Sequence, residues 1–166
     1  MVRNGELITA KNGLGIELGH ITVQSDGIEC GCGNRGCLET IVTDRAFAKA
    51  VSLRIGTELD IDQIIALIQA GQLDADQEIN TVFEYLAMGL AIVINILNPQ
   101  NIFIYGKFFD AKQGLFDKFL KLIPQKAFHP LAKNCKIQRS VEDKLNGAIA
   151  GALNHLADSL GPRYSS

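Results

Sequence analysis

The 166-residue sequence has no surplus of charge of either sign. Its 16 basic and 18 acidic residues leave a net charge of -2, and the Lys and Arg residues are scattered, which excludes a general electrostatic attraction to nucleic acid. Residues 1–11 lack an apolar core behind a basic start, so they do not read as a signal peptide. Long hydrophobic runs are lacking too: the longest apolar stretch, residues 85–97, is interrupted by Asn95 and falls several residues short of a bilayer span. Repeats and low-complexity segments are absent. What remains, 47% hydrophobic and 20% charged, is the composition of one globular domain with a buried core, cytoplasmic by default and with no membrane partner.

Cysteine is also scarce, four in all, yet three fall within the eight positions from Cys30 to Cys37. In a reducing compartment crowded thiols indicate metal binding or catalysis. Cys30, Cys32 and Cys37 form C-x-C-x4-C, and His20 stands ten residues ahead of the first. Three thiolates and one imidazole are the ligand set of a closed tetrahedral zinc site, and the intervening glycines let the backbone turn sharply enough for them to converge. A redox pair, an internal disulfide and chance are the competing readings. Cys30 and Cys32 are too close along the chain for a relaxed disulfide, and C-x-C lacks the two-residue spacer of thioredoxin-like sites, so zinc is preferred. A full ligand set is structural, because an activated water needs an open position. No role is assigned to Cys135, and His129 and His155 stand alone as ordinary histidines.

Two carboxylates flank this set, Glu17 three residues before His20 and Glu39 two after Cys37. They could accept hydrogen bonds from sugar hydroxyls; equally, Glu39 could cap the helix beginning there and Glu17 could be solvated. The residues alone leave both open.

Along the chain, Asn4-Gly5 within residues 2–9 predicts the tail of a hairpin, and residues 21–23 a short β-branched segment before the glycine-broken cysteine loop. Apolar residues at helical spacing from Leu38 to Ile55 predict a helix stopped by Gly56. Asp60 with Gln63, and Asp74 with Gln77, each match a helix-opening pair. The second of these opens a long helix over about residues 75–97, apolar nearly all round from Tyr85 and therefore expected at the centre of the core. Residues 101–105 read as a strand covered on both faces; a helix over 115–127, a strand over 136–139 and a last helix over 143–160 follow, with Gly147 and Gly151 permitting close packing. The pattern predicts an α/β domain with a mixed sheet.

The stretches E-L-G-H at 17–20, C-G-C-G-N-R-G-C-L-E at 30–39, N-G-E-L at 4–7 and N-P-Q-N-I-F-I-Y-G at 98–106 resemble the signatures of the ROK family, the group of bacterial repressors, open reading frames and sugar kinases. The resemblance implies an actin-like ATPase (ribonuclease-H-like) fold, with residues 1–166 as its second, C-terminal lobe: a zinc-binding loop over 20–39 and an α/β remainder over 40–160, incomplete relative to the family. It implies zinc on His20, Cys30, Cys32 and Cys37, and sugar contacts from Glu17, His20 and Glu39. The family kinases' Asp-x-Gly-Gly-Thr loop and Asn-Asp pair, which carries the base, have no counterpart among these residues, so no catalytic residue is assigned. Gly15-Ile16 replaces the usual Ala-Gly before the E-x-G-H motif, which bears on the placing of Glu17. Gly106 is followed by Lys107-Phe108-Phe109 where the kinases carry further glycines against the nucleotide, and these side chains are expected to crowd a purine, unless Lys107 points to solvent.

Three functions follow as expectations. The preferred one is a sugar-sensing effector domain of a transcriptional regulator, homo-oligomeric and touching DNA only through a domain outside this chain. The second is the C-terminal half of a sugar kinase, with ATP and magnesium as cofactors. The third is a structural zinc module for subunit contact.

Overall fold

The computed structural model describes residues 1–3, 6–8 and 15–140. The chain divides into two units, one formed by Glu17–Arg139 and the other by the residues outside that span. In the latter, β1 (Val2–Arg3) and β2 (Glu6–Leu7) pair antiparallel with Val2 opposite Leu7, the hairpin that Asn4-Gly5 predicts. The predicted helix over 143–160, with Gly147, Gly151 and His155, lies outside the described residues.

In the Glu17–Arg139 unit the helix predicted from Leu38 to Ile55 is two helices, α1 (Glu39–Val42) and α2 (Asp44–Ile55). Thr43 divides them. Its backbone is extended, and its Oγ1 accepts the Ala46 amide at 3.1 Å, so it caps α2 instead of continuing α1. Gly56, at φ 71°, ends α2 as predicted. Helix α3 (Ile61–Gln69) opens on the full capping box of Asp60 and Gln63. Helix α4 (Asp76–Leu97) begins one residue later than predicted, after the cap residue Ala75, with Asp74 Oδ1 accepting the Asp76 amide.

Helix α4 is only half the central helix its composition predicts. Ile79, Val82, Phe83, Ala87, Gly89, Leu90, Ala91 and Ile94 are buried, but Met88, Ile92 and Ile96, four residues apart on one stripe, are exposed. An 18-residue stretch of the helix reaches a mean hydropathy of 1.6, and by length and composition the helix could cross a bilayer. Its buried face is packed on this chain's own helices, which makes it a core helix.

Strand β3 (Asn101–Ile104) pairs in parallel with β4 (Lys136–Arg139), the latter where predicted. Among the described residues these two strands form a sheet separate from the hairpin, not one mixed sheet. The expectation that β3 is covered on both faces is not met: Ile104 is buried while Phe103 is 66% exposed. Three short helices link the strands, α5 (Leu115–Leu120), α6 (Ile123–Lys126) and α7 (His129–Asn134), where one helix over 115–127 was expected. Pro124 and Pro130 each lie in the first turn of a new helix, the position in which a missing amide hydrogen costs least.

The turn after β3 corrects a further expectation. Phe108 and Phe109 are buried, with Phe108 6.1 Å from the Phe47 ring of α2 and Phe109 5.9 Å from the Phe83 ring of α4 and 5.7 Å from the Phe119 ring of α5. They fill the core and cannot crowd a ligand. Lys107 does not reach into solvent alone, since its Nζ pairs with Asp62 at 2.8 Å. Asp44 holds the turn, its two oxygens accepting the amides of Lys107 and Phe108 at 3.0 Å each.

Candidate metal centre

Chain geometry brings the cysteine loop back on itself. The Thr22–Cys37 and Glu29–Arg35 bridges draw it into a narrow double strand, and the Leu38 amide donates to the Ile21 carbonyl at 2.9 Å. At Gly36 the two sides nearly touch. Its φ is +67°, its amide donates to Ile28 O at 2.8 Å, and a Cβ there would lie 1.6 Å from the Gln24 carbonyl oxygen, so no residue with a side chain fits. The 3-10 turn Leu18–His20 presents His20 from the other side.

The four predicted ligands converge. Their donor atoms all lie within 4.8 Å of one another. Cys32 Sγ is 3.6 Å from Cys37 Sγ, and Cys30 Sγ is 3.6 Å from His20 Nδ1. A tetrahedron with Zn–S of about 2.3 Å and Zn–N of about 2.0–2.1 Å has edges of roughly 3.5–3.8 Å. Donor types and spacing therefore fit a zinc ion.

Electrostatics point the same way. The Cys32 backbone amide favours the Cys30 thiolate, but Glu39, burial and the sulfurs of Cys32 and Cys37 together outweigh it, and the Cys30 pKa is pushed up to about 12. Burial raises that of Cys37. The Asn34 amide and the Cys30 thiol beside it lower that of Cys32. Three thiols and a carboxylate packed together cannot all ionise without a cation among them, so a metal ion held here would exchange for their protons.

Glu39 belongs to the same cluster. It is the first residue of α1, where its side chain makes no capping bond to its own helix; Oε1 accepts from Cys30 Sγ at 2.9 Å and lies 3.6 Å from His20 Nδ1. Gly19 packs against it, a Cβ there falling 3.3 Å from Glu39 Cβ. Glu17 stands exposed at the start of the 3-10 turn, its carbonyl accepting the His20 amide at 3.2 Å. Ile16 beside it has no positive φ, so the change from Ala-Gly to Gly15-Ile16 imposes no backbone strain. Cys135 is half-buried outside the cluster, and His129 is exposed. An open groove of about 960 Å³, lined in part by Asp44, Lys49, Ser52, Asp60 and Lys107, includes none of the predicted site residues.

Sequence reasoning missed what anchors the loop. Gln24 Nε2 donates to Tyr85 Oη of α4 at 2.6 Å. Leu38, between the last ligand and Glu39, is 1% exposed, and a Cβ at Gly89 of α4 would lie 2.5 Å from its Cδ2. A glycine in mid-helix, where it costs about 1 kcal/mol relative to Ala, and a tyrosine hydroxyl in an apolar segment were the available signals.

The ROK family model matches residues 1–158. The chain belongs to the ROK family. It is 33% identical over 162 residues to the N-acetylglucosamine repressor of Shigella flexneri, covering 92% of this chain and 40% of that protein. A ROK-family transcriptional regulator homologous to the Escherichia coli MLC protein has a crystal structure that superposes with a TM-score of 0.72 at 31% identity, over 86% of this chain and 39% of that one. The ROK hexokinase of Thermus thermophilus superposes with a TM-score of 0.77 at 25% identity, over 96% and 54%. The fold is thus that of ROK regulators and sugar kinases, and the chain spans about 40% of the length of the regulators it matches.

Proposed function

We propose that this ROK chain is the sugar-responsive, zinc-containing effector lobe of a cytoplasmic transcriptional regulator. His20, Cys30, Cys32 and Cys37 would hold a structural zinc, which supplies no reaction chemistry but fixes the loop. Glu17, His20 and Glu39 would take the sugar hydroxyls. N-acetylglucosamine is the first candidate, because a relative at 33% identity is named as its repressor. DNA contact is assigned to a domain outside this chain, and the regulator to a homo-oligomer.

The observation that carries the reading is Glu39, a carboxylate seated 2.9 Å from one metal donor and 3.6 Å from another, on a loop that the same donors tie together. His20 turns Nδ1 toward Cys30, which leaves Nε2 for a hydroxyl. A regulator is preferred to a kinase on two grounds. Identity is higher to the regulators, 33% and 31% against 25% for the hexokinase. Asp44 also uses up the amides of Lys107 and Phe108 at the end of β3, and a carboxylate there repels a phosphate. The kinase reading retains one observation in its favour, the higher TM-score and coverage of the hexokinase.

The test uses the longest natural chain. Calorimetric titration with N-acetylglucosamine, glucose and xylose is expected to show binding of one of them without sugar-dependent ATP hydrolysis; robust turnover would remove the regulator reading. Glu39→Gln is expected to weaken sugar binding about 10-fold or more, the size of a lost hydrogen bond to a charged group, with the zinc content unchanged. Equal loss of both would mean that Glu39 is structural.

A further inference from the structure

The thiols of the cluster are not equivalent. Cys30 and Cys37 are buried and Cys32 is exposed. Cys32 Sγ lies 3.6 Å from Cys37 Sγ, so a disulfide of about 2.05 Å needs a closing movement of about 1.5 Å. Cys30 is held in place: its amide donates to Asn34 O at 2.8 Å, its carbonyl accepts from the Gly33 amide at 3.0 Å, and its sulfur is engaged by Glu39 at 2.9 Å. Cys37 is held by its bridge to Thr22. Cys32 has a glycine on either side, Gly31 and Gly33, and a Cβ built at either would meet nothing within 4 Å. It is the sulfur of the cluster with both access to solvent and room to move.

We propose that Cys32 and Cys37 form a peroxide-sensitive pair whose oxidation to a disulfide dismantles the metal site. The Cys32 thiolate attacks hydrogen peroxide; the O–O bond breaks, Cys32 becomes a sulfenic acid and hydroxide leaves. The Cys37 thiolate then attacks that sulfur, the S–S bond forms, the S–O bond breaks and a second hydroxide leaves. Two thiolates have given up two electrons, and one peroxide has been reduced to two hydroxides. Of the four ligands only His20 and Cys30 then remain, too few for the closed three-sulfur, one-nitrogen zinc site. Cys30 is a poor partner for either sulfur, being buried, fixed by its backbone bonds and only two residues from Cys32. Glu39 would lose the frame that holds it, so oxidation also loosens the proposed sugar contact.

This inference rests on the zinc reading, and its test separates the two. The full chain and its Cys135→Ser form, which keeps all four ligands, are purified under reducing conditions, assayed for zinc and titrated with hydrogen peroxide in the presence of a zinc-chelating dye. Each form is expected to carry about one zinc per chain and to release it in step with the loss of two thiols. Trypsin cuts after Arg35, so the new bond joins the peptide holding Cys30 and Cys32 to the one holding Cys37, and its fragment ions are expected to place the bond at Cys32. Dithiothreitol with added zinc is expected to restore the bound metal. Zinc that stays bound while thiols are lost, a bond at Cys30 or Cys135, or Cys32 sulfinic acid without a bond overturns the inference and leaves the zinc reading intact. Protein that carries no metal before peroxide is added overturns the zinc reading itself, and this inference with it.

Discussion

Gly36 shows how much of the site depends on one hydrogen atom. Its positive φ and the 1.6 Å between a would-be Cβ and the Gln24 carbonyl oxygen allow no relaxation by a side chain, because the clashing atom is backbone. Gly36→Ala must pull the two sides of the loop apart, break the amide bond to Ile28 and displace the neighbouring Cys37. A cost of about 2 kcal/mol or more is expected, from the sum of overpacking and backbone strain, together with a lowered zinc content. Thermal melting and elemental analysis of the purified variant check this; a variant that melts with the wild type and keeps its metal would contradict the loop geometry. At this scale the sequence was highly legible, because ligand identity is chemical: only His and Cys supply these donors, and the glycines among them announce sharp turns. Glu39 was left ambiguous between cap and contact, since a carboxylate at a helix start suits both; in the structure it makes no capping bond and accepts from Cys30 instead.

Among the elements, α4 gives the cysteine loop its bearing. The loop has few apolar side chains of its own, and Leu38 ties it down by entering the notch that Gly89 leaves in α4. Gly89→Val would put methyl groups where Leu38 Cδ2 now lies. In a contact this closely packed the cost is expected to be about 1–3 kcal/mol, and because Leu38 separates Cys37 from Glu39, zinc affinity should fall along with stability. Competition with a zinc-chelating dye and urea unfolding measure the two effects. If stability falls while zinc affinity holds, the notch supports the core but not the site. Capping signals were legible where a local bond decides the outcome, as at Asp60 with Gln63. The break at Thr43 was not, because the apolar periodicity runs through it and the residue competes by bonding its own downstream amide.

Over the Glu17–Arg139 unit as a whole, ion pairs fasten the turn after β3 to its surroundings: Lys107 to Asp62, and Asp110 to Arg139 at the end of β4. The hydrogen bond from Arg139 at 2.7 Å holds the Asp110 carboxyl below its ordinary value. A carboxyl depressed in the folded state contributes stability above its unfolded pKa of about 4, and loses that contribution as pH falls through the lower folded value. Solvent screening keeps it below about 1 kcal/mol, since Asp110 is about half exposed. Asp110→Asn is therefore expected to be slightly less stable than wild type at pH 7 and to converge with it below pH 4 or so. Urea unfolding across that range checks the sign, and a gap that widens in acid would refute the pairing. The sequence by itself determined the glycine turns, the Asp60 cap, the hairpin and the position of β4, all of which follow from the chemistry of residues within a few positions of one another. Tertiary structure alone decided that Phe108 and Phe109 turn into the core, that α4 buries one face and leaves Met88, Ile92 and Ile96 exposed, and that Gln24 and Leu38 anchor the loop on α4. Local rules say that an apolar side chain seeks cover, but the surface that covers it lies tens of residues away along the chain, where periodicity carries no information.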